Sequence, residues 1–517
     1  MKPRIRNSAV ALAAGVAIFA LPNAANAAVT VQADATNLTL TSDAASDNIT
    51  LGVANGNITH NLPATAGTFA NNEDFDPGAG TLALPSNGTV NLIINAGDGN
   101  DNINVSAPTF AGSPALNGEG GDDIILGSPQ LDAVDGGEGN DRITAFRGNE
   151  NILGGNGNDV IIWNNGDGND TNQGGGGLDE TLITQGNADD LSAITQVGAA
   201  VHFERTNAPF TVDSVDMEKL TLTSFSGNDV LTTGPGVTLP MNIDAGPGDD
   251  SITTGDGPDF IHGDRGNDTE NGGAGDDRMD WNNGDGNDVM NGNDGIDRIV
   301  NNLGAADDVS SLKVENGRVR YDRTNAPFNL SVGSSEVFEL NTFGGKDTLT
   351  TVPNLPITLD ADLGAGDDDI NVRDNVQSIV QGGSGADKVT ADVTDLIAAD
   401  VETVDRPAVP GAGTAVLAKN AKVKRNVASL KMSCPAGTSG CNGKVTLLTK
   451  TLKFGPFRGA LVLGSKTFKI DAGKSATVKV KLIKRASQLA KRKKLTANAR
   501  IVSNGMSDKT AKVTLKF

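Results

Sequence analysis

Residues 245–300 read in nines: AGPGDDSIT from Ala245, TGDGPDFIH from Thr254, GDRGNDTEN from Gly263 and GGAGDDRMD from Gly272. A two-residue slip at Trp281 and Asn282 intervenes, and NGDGNDVMN and GNDGIDRIV follow from Asn283 and Gly292. The sixth place of every block is Asp: Asp250, Asp259, Asp268, Asp277, Asp288 and Asp297. Glycine recurs at places two and four in most blocks, and an apolar residue often fills place eight. So short a period fits neither a helix heptad nor a single hairpin and marks a solenoid, whose units contact only their neighbours. The glycines permit left-handed turns, and the residues after each Asp supply a short strand with its apolar member inward. Regularly spaced carboxylates beside loop carbonyls are hard oxygen donors, which suit Ca2+ and not zinc or copper.

These blocks resemble the GGxGxDxUx nonapeptides of the RTX family, the haemolysin-type calcium-binding repeats. The resemblance implies that two consecutive blocks make one turn of a parallel β-roll. It also implies that calcium sits between stacked loops, held by the sixth-place Asp and by carbonyls of the Gly-rich loop. Carried over block by block, it assigns metal-binding positions to Gly246, Gly248, Asp250, Gly255, Gly257, Asp259, Gly266, Asp268, Gly272, Gly273, Gly275, Asp277, Asp288 and Asp297. An earlier run begins at Gly127 with GSPQLDAVD, GGEGNDRIT, AFRGNENIL and GGNGNDVII, slips by two at Trp163 and Asn164, and ends in NGDGNDTNQ and GGGGLDETL. It adds Gly136, Gly137, Gly139, Asp141, Gly154, Gly155, Gly157, Asp159, Asp170 and Asp179. Isolated loops add Asp101, Asp122, Asp368 and Asp387.

Blocks two apart should share a face. Asp250 and Asp268 then line one column and Asp259 and Asp277 the other, while Asp132 and Glu150 form a degenerate column in the earlier run. Ile252, Ile261 and Met279 should point into the roll, with Glu270 a misfit turned outward. Stacked carboxylates a few ångströms apart repel by on the order of 1 kcal/mol per pair even in water-like dielectric, so the counter-ion should be part of the fold.

A longer repeat contains these runs. WNNGDGND at Trp163 returns at Trp281, RTNAPF at Arg205 returns at Arg323, and AGPGDDSI at Ala245 answers LGAGDDDI at Leu363, each pair 118 residues apart. Each copy joins calcium-type loops to a strand-rich stretch (183–222 and 301–340) without them. RTNAPF reads as a structural turn copied with its module, or as a binding loop.

Charge divides the chain. Residues 1–407 hold 18 Lys+Arg and 62 Asp+Glu, a net of −44, and residues 408–517 hold 24 and 2, a net of +22. Met1–Ala27 has Lys2, Arg4 and Arg6, then an apolar run and Ala25-Asn26-Ala27, the pattern of a secretory signal peptide. The expected organisation is a signal peptide (1–27), a strand-rich cap (28–95), a calcium-binding solenoid (96–405), a linker (406–415) and a basic β-sandwich (416–517), an all-β chain throughout. The tail alternates Lys with apolar residues, as in ATVKVKLIK, and bears a weak resemblance to immunoglobulin-like modules. Cys434 and Cys441 suit a small disulfide in an exported chain.

With three His, no HExxH, no GxSxG and no Cys–His pair in view, no catalytic constellation stands out. The expected function is that of a secreted, non-enzymatic calcium-binding repeat protein with a structural or adhesion role. Its partners would be calcium and an anionic wall or extracellular polymer on the basic tail, with no nucleic acid and no membrane span. The alternative is a calcium-dependent enzyme acting on acidic polysaccharide in a solenoid groove that uses Arg205 or Arg323.

Overall fold

A computed structural model describes residues 29–33, 37–62, 80–85, 90–144, 146–406, 415–434, 440–449, 452–454, 457–459, 462–483, 494–503 and 509–517. The signal-peptide stretch and most of the expected linker lie outside these. Two compact units are present. One holds residues up to Thr184 with 197–204 and 209–221, and the other holds 185–196, 205–208 and everything from Leu222 on.

In the first unit two parallel ladders run side by side. Ala133–Glu138 lies between Ala115–Asn117 and Asn151–Asn156, with Val134 opposite Leu116 and Ile152. Arg142–Thr144 lies between Ile124–Leu126 and Val160–Asn164, with Ile143 opposite Ile125 and Ile161. Identical places therefore stack every 18 residues, two blocks per coil. The place-eight residues Ile103, Ile125, Ile143 and Ile161 form a fully buried column. With the facing column of Leu116, Val134 and Ile152 it makes up the thin core of such a coil, which is why few aromatics are needed.

The ladders start earlier than the sequence suggests. Asn37–Thr41 pairs in parallel with Asn91–Asn95, and Asn48–Ala54 with Asn102–Asn104, so the expected cap already contributes solenoid strands. Their alternation of buried and exposed residues is the same as in any half-buried strand, which hides the stacking from a reading of the sequence.

The second unit repeats the arrangement, with Ile243, Ile261, Met279 and Ile299 in one buried column. Ile252, Ile261 and Met279 point inward as expected. Glu270 does not turn outward: it stands opposite Ile252 and Met290, is 1% exposed, and its Oε1 accepts the Gly263 N–H at 3.1 Å. The strand register leaves place eight no other direction.

The two-residue slips are explained by the tryptophans. Trp281 is buried, stacks on Phe328 with ring centroids 3.9 Å apart, and donates its indole N–H to Gly286 O. Trp163 is likewise buried, packs against Phe210 with the rings tilted by 40° and donates its indole N–H to Gly168 O. The stretch from residue 301 is a meander inserted in the ladder. Val309–Glu315, Arg318–Arg323 and Phe328–Gly333 pair antiparallel, while the outer two strands pair in parallel with Thr348–Thr351 and Val289–Asn291.

From residue 415 an antiparallel sheet takes over, in which Cys441–Leu448 lies between Val462–Ile470 and Lys494–Ser503. One face buries Val445, Leu447, Ile501 and Val513 and the other carries the lysines. Asn420–Lys424 joins it in parallel with Lys509–Lys516. Cys434 and Cys441 form a disulfide.

Candidate metal centre

The sixth-place Asp residues other than Asp132 are tied to the coil beside them through one carboxylate oxygen. Oδ1 of Asp141 accepts the Asp123 N–H at 2.8 Å, Oδ1 of Asp159 accepts the Asp141 N–H at 2.8 Å, and Oδ1 of Asp179 accepts the Asp159 N–H at 2.8 Å. The ladder extends back through Asp101 and Asp47 and ends on Glu218 Oε2. In the second unit one column runs Asp190, Asp229, Asp250, Asp268, Asp288. The other runs Asp259, Asp277, Asp297 and ends on Glu336. Asp250 thus adjoins Asp268, and Asp259 adjoins Asp277, as the alternation of faces requires. A further column runs Asp308, Asp347, Asp368, Asp387 and ends on Glu402.

The second oxygen is the informative one. Oδ2 of Asp123, Asp141, Asp159, Asp179, Asp268, Asp277, Asp297 and Asp387 is buried with no hydrogen-bond donor, and so is Oδ2 of Asp101, Asp229, Asp250, Asp347 and Asp368, whose blocks do not open on glycine. A buried carboxylate oxygen left bare costs several kcal/mol, so a column of them is stable only when neutralised. Burial pushes the pKa of Asp123 and of Asp268 up to about 8, against the backbone N–H that each accepts; neighbouring carboxylates, Asp141 and Asp101 for Asp123, add to the rise. A divalent cation between coils removes the same cost without a proton.

Where such a block opens on glycine, the missing side chain leaves a space that a cation could occupy. A Cβ on Gly136 would stand 2.3 Å from Asp141 Oδ2 and 2.4 Å from Gly154 O, and one on Gly118 would stand 2.3 Å from both Asp123 Oδ2 and Gly136 O. Gly154, Gly263, Gly272, Gly292 and Gly382 face the Oδ2 of Asp159, Asp268, Asp277, Asp297 and Asp387 in the same way. Carboxylate and carbonyl oxygens converge at Gly118, Gly136 and Gly154, the donor set that Ca2+ takes, whereas the nearest atoms at Gly263, Gly272 and Gly292 are those of the Asp alone and at Gly382 a Val401 methyl stands beside Asp387. The other predicted glycines bring the coils close. Gly137, Gly139, Gly155, Gly157, Gly246, Gly273 and Gly275 have positive φ, whereas Gly248, Gly255, Gly257 and Gly266 lie against a carbonyl of the preceding coil without it.

Not every ladder Asp has that space. Thr254 fills place one before Asp259, its Oγ1 donates to Gly272 O at 2.7 Å, and the Gly255 N–H reaches Asp259 Oδ2 at 3.2 Å. Asp132 is satisfied by the N–H and hydroxyl of Ser128, both at 2.6 Å. Ala245 and Leu363 put apolar groups at place one before Asp250 and Asp368. Glu150 keeps its place in the degenerate column, where its N–H donates to Asp170 Oδ1 at 3.0 Å.

The RTNAPF arginines stand at two further ladder carboxylates. Arg205 Nη2 pairs with Asp190 Oδ1, and Arg323 Nη2 pairs with Asp308 Oδ1 at 2.5 Å, each pair almost wholly buried. Asn207 and Asn325 complete the turn by accepting the Leu191 and Val309 N–H groups and donating to Asp189 O and Asp307 O. A guanidinium supplies there the positive charge that the glycine-led blocks leave to an ion. The motif is a structural clasp.

Asp122 requires a correction. It is exposed and accepts from Asn140, whereas its neighbour Asp123 holds the ladder position. The block phases from Gly118, with Asp123 sixth, and the paired Asp residues conceal the shift. Asp47, Asp190, Asp229, Asp308 and Asp347 were not legible as ladder members because their loops carry only part of the glycine pattern, Gly227 before Asp229 and Gly345 before Asp347, or none of it before Asp47, although each precedes a short strand as the others do.

No curated protein is similar enough to the chain to serve as a relative. Residues 131–161 and 244–279 match the RTX calcium-binding nonapeptide repeat, in four copies. On that match, and on carboxylate ladders built from the same aspartates, the chain carries RTX calcium-binding nonapeptide repeats, and these repeats bind Ca2+.

Proposed function

We propose that the chain is an exported structural or adhesion element, a solenoid made rigid by calcium and joined to a basic sheet that holds it to anionic wall or extracellular polymer. Export rests on the N-terminal sequence pattern. Among the described residues no helix is long and apolar enough to cross a membrane. The observation that carries the calcium assignment is the row of buried, donor-free Oδ2 atoms, which in the first unit face backbone carbonyls. On this reading the ions are held where place one is glycine, by Asp123, Asp141, Asp159 and Asp179 in the first unit and by Asp268, Asp277, Asp297 and Asp387 in the second. Asp101, Asp170, Asp250, Asp259, Asp288 and Asp368 then act chiefly as links in the ladder.

The enzymatic alternative needed Arg205 or Arg323 in an open groove, and both are enclosed in ion pairs. The test is a calcium titration of the full chain followed by circular dichroism and by direct count of bound metal. Chelation near pH 8 should remove a large part of the β signal, and calcium at about 0.1–1 mM, the range of extracellular modules, should restore it. An unchanged spectrum with no bound calcium would refute the reading. Attachment through the basic sheet should weaken as salt screens it.

A further inference from the structure

His262 ends the strand Phe260–His262 and lies outside both calcium columns. Its ring and the carboxylates of Asp264 and Asp285 offer ligand atoms that all lie within 4.8 Å of one another. Nε2 is 3.2 Å from Asp285 Oδ2, and Nδ1 faces Asp244 Oδ1 at 3.7 Å from the adjacent strand. Asn282 uses its Oδ1 to accept from Asn302, so its amide nitrogen, 2.8 Å from Nε2, is the donor of that contact. An imidazole nitrogen that accepts presents a lone pair, and here the lone pair also faces a carboxylate oxygen. Two acceptors so close share a cation, which is either the imidazolium proton or a bound metal.

The internal duplication shows that the fold does not require this cluster. At 118 residues' distance the first copy has Leu126 for Asp244, Thr144 for His262, Phe146 for Asp264 and Ile152 for Glu270, and keeps only Asp167 for Asp285. Asp167 and Asp285 make the same turn, each accepting an N–H from the Asn three residues before it, which accounts for the shared residue. Phe146 and Asp264 both have positive φ, 70° and 63°, so the backbone is the same whichever side chain it carries. The second copy has thus exchanged a methyl-bearing and aromatic surface for an imidazole and two carboxylates gathered in one place. Glu270, with Oε2 buried and without a donor, comes with them and bonds the Gly263 N–H between His262 and Asp264.

We infer that His262, Asp264 and Asp285 form a second class of metal site, for a borderline divalent cation of the zinc, cobalt or nickel type, separate from the all-oxygen calcium steps. Imidazole nitrogen with carboxylate oxygen is the donor set such ions prefer over Ca2+. Asp244 is the positioning residue: a carboxylate on Nδ1 fixes the tautomer that presents Nε2 to a metal, and loss of such a partner usually weakens binding about 10–100-fold.

The inference rests on the repeat architecture but not on the calcium assignment, and the experiment keeps the two apart. The full chain is saturated with calcium and titrated with Co2+, read by visible absorption, with Zn2+ as competitor. One equivalent of Co2+ with a nitrogen-containing spectrum, displaced by Zn2+ and not by excess Ca2+, is expected. His262→Thr and Asp264→Phe install the first copy's residues, which this backbone already accommodates, and each should reduce Co2+ affinity at least tenfold. Both should leave the bound calcium count unchanged. Absence of a Co2+ signal in the unaltered chain, its displacement by Ca2+, or its survival in both variants would overturn the assignment.

Discussion

Thr254→Gly should create a calcium step where the chain has none. Thr254 is buried and its hydroxyl donates to Gly272 O, the carbonyl equivalent to the one that faces Asp141 Oδ2 across Gly136. Removing the side chain opens a space bordered by Gly272 O and Asp259 Oδ2. Without metal the change is costly. It loses one hydrogen bond, about 0.5–1.5 kcal/mol net, leaves a carbonyl unsatisfied at about 1–3 kcal/mol, and adds about 0.5–1 kcal/mol of glycine backbone entropy. These overlap, so about 2–4 kcal/mol is the expected destabilisation in chelator. With calcium a new site filled at about 100 times its dissociation constant returns about 2.7 kcal/mol, which nearly cancels the loss.

Two measurements decide the matter: bound calcium per chain after equilibrium dialysis, and thermal unfolding in chelator and in calcium. The variant should bind one more ion than the parent, melt earlier in chelator, and approach the parent in calcium. An unchanged or smaller calcium count in a variant that still folds would show that the residue at place one does not select the occupant of the step.

Gly136→Ala tests the converse, because a methyl group 2.3 Å from Asp141 Oδ2 and 2.4 Å from Gly154 O must exclude the ion, so the same dialysis should find one calcium fewer. Arg323→Met leaves Asp308 buried and unpaired and should cost about 3–5 kcal/mol in denaturant unfolding, in calcium and in chelator alike. Adding Asp308→Asn should recover part of it, and a single variant as stable as the parent would dismiss the clasp. The third test is pH. Asp123 and Asp268 have folded pKa values raised to about 8, so the metal-free coils bind more protons than the unfolded chain and gain stability from them in acid. In chelator the melting temperature should be higher at pH 5 than at pH 8, falling as pH rises from about 4, the ordinary carboxylate value, to about 8. In calcium the trend should reverse, since protons then compete with the ion. A melting temperature in chelator that rises toward pH 8 would contradict it.

The period of nine was sufficient to read the coil, the two faces and the apolar column, because each follows from where glycine, Asp and Ile fall. It did not disclose the occupant of each step. Asp141 and Asp259 are both sixth in their blocks, and what separates them is Gly136 against Thr254, a single side chain whose effect depends on a carbonyl 18 residues away. Nor could the period reveal the clasps. Asp190 and Arg205 are 15 residues apart in a stretch with no glycine rhythm, so nothing in the period pairs the guanidinium with the carboxylate.

The clasps bear on how the chain folds. A carboxylate ladder satisfied only by calcium would repel itself until metal arrived. At Asp190 and Asp308 the counter-charge is covalently part of the chain, and at Asp259 a backbone N–H takes part of the load. Coils of this kind can form before calcium binds and present a finished edge to the glycine-led coils stacked on them. Because each repeat unit is stabilised by its neighbours, a preformed coil lowers the cost of ordering the next. The chain should therefore retain a partial β signal in chelator at pH 8. Hydrogen exchange should place the protected amides at residues 303–351 and leave those at 118–179 open. Uniform loss of protection over both stretches would mean that the guanidinium coils, too, wait for the ion.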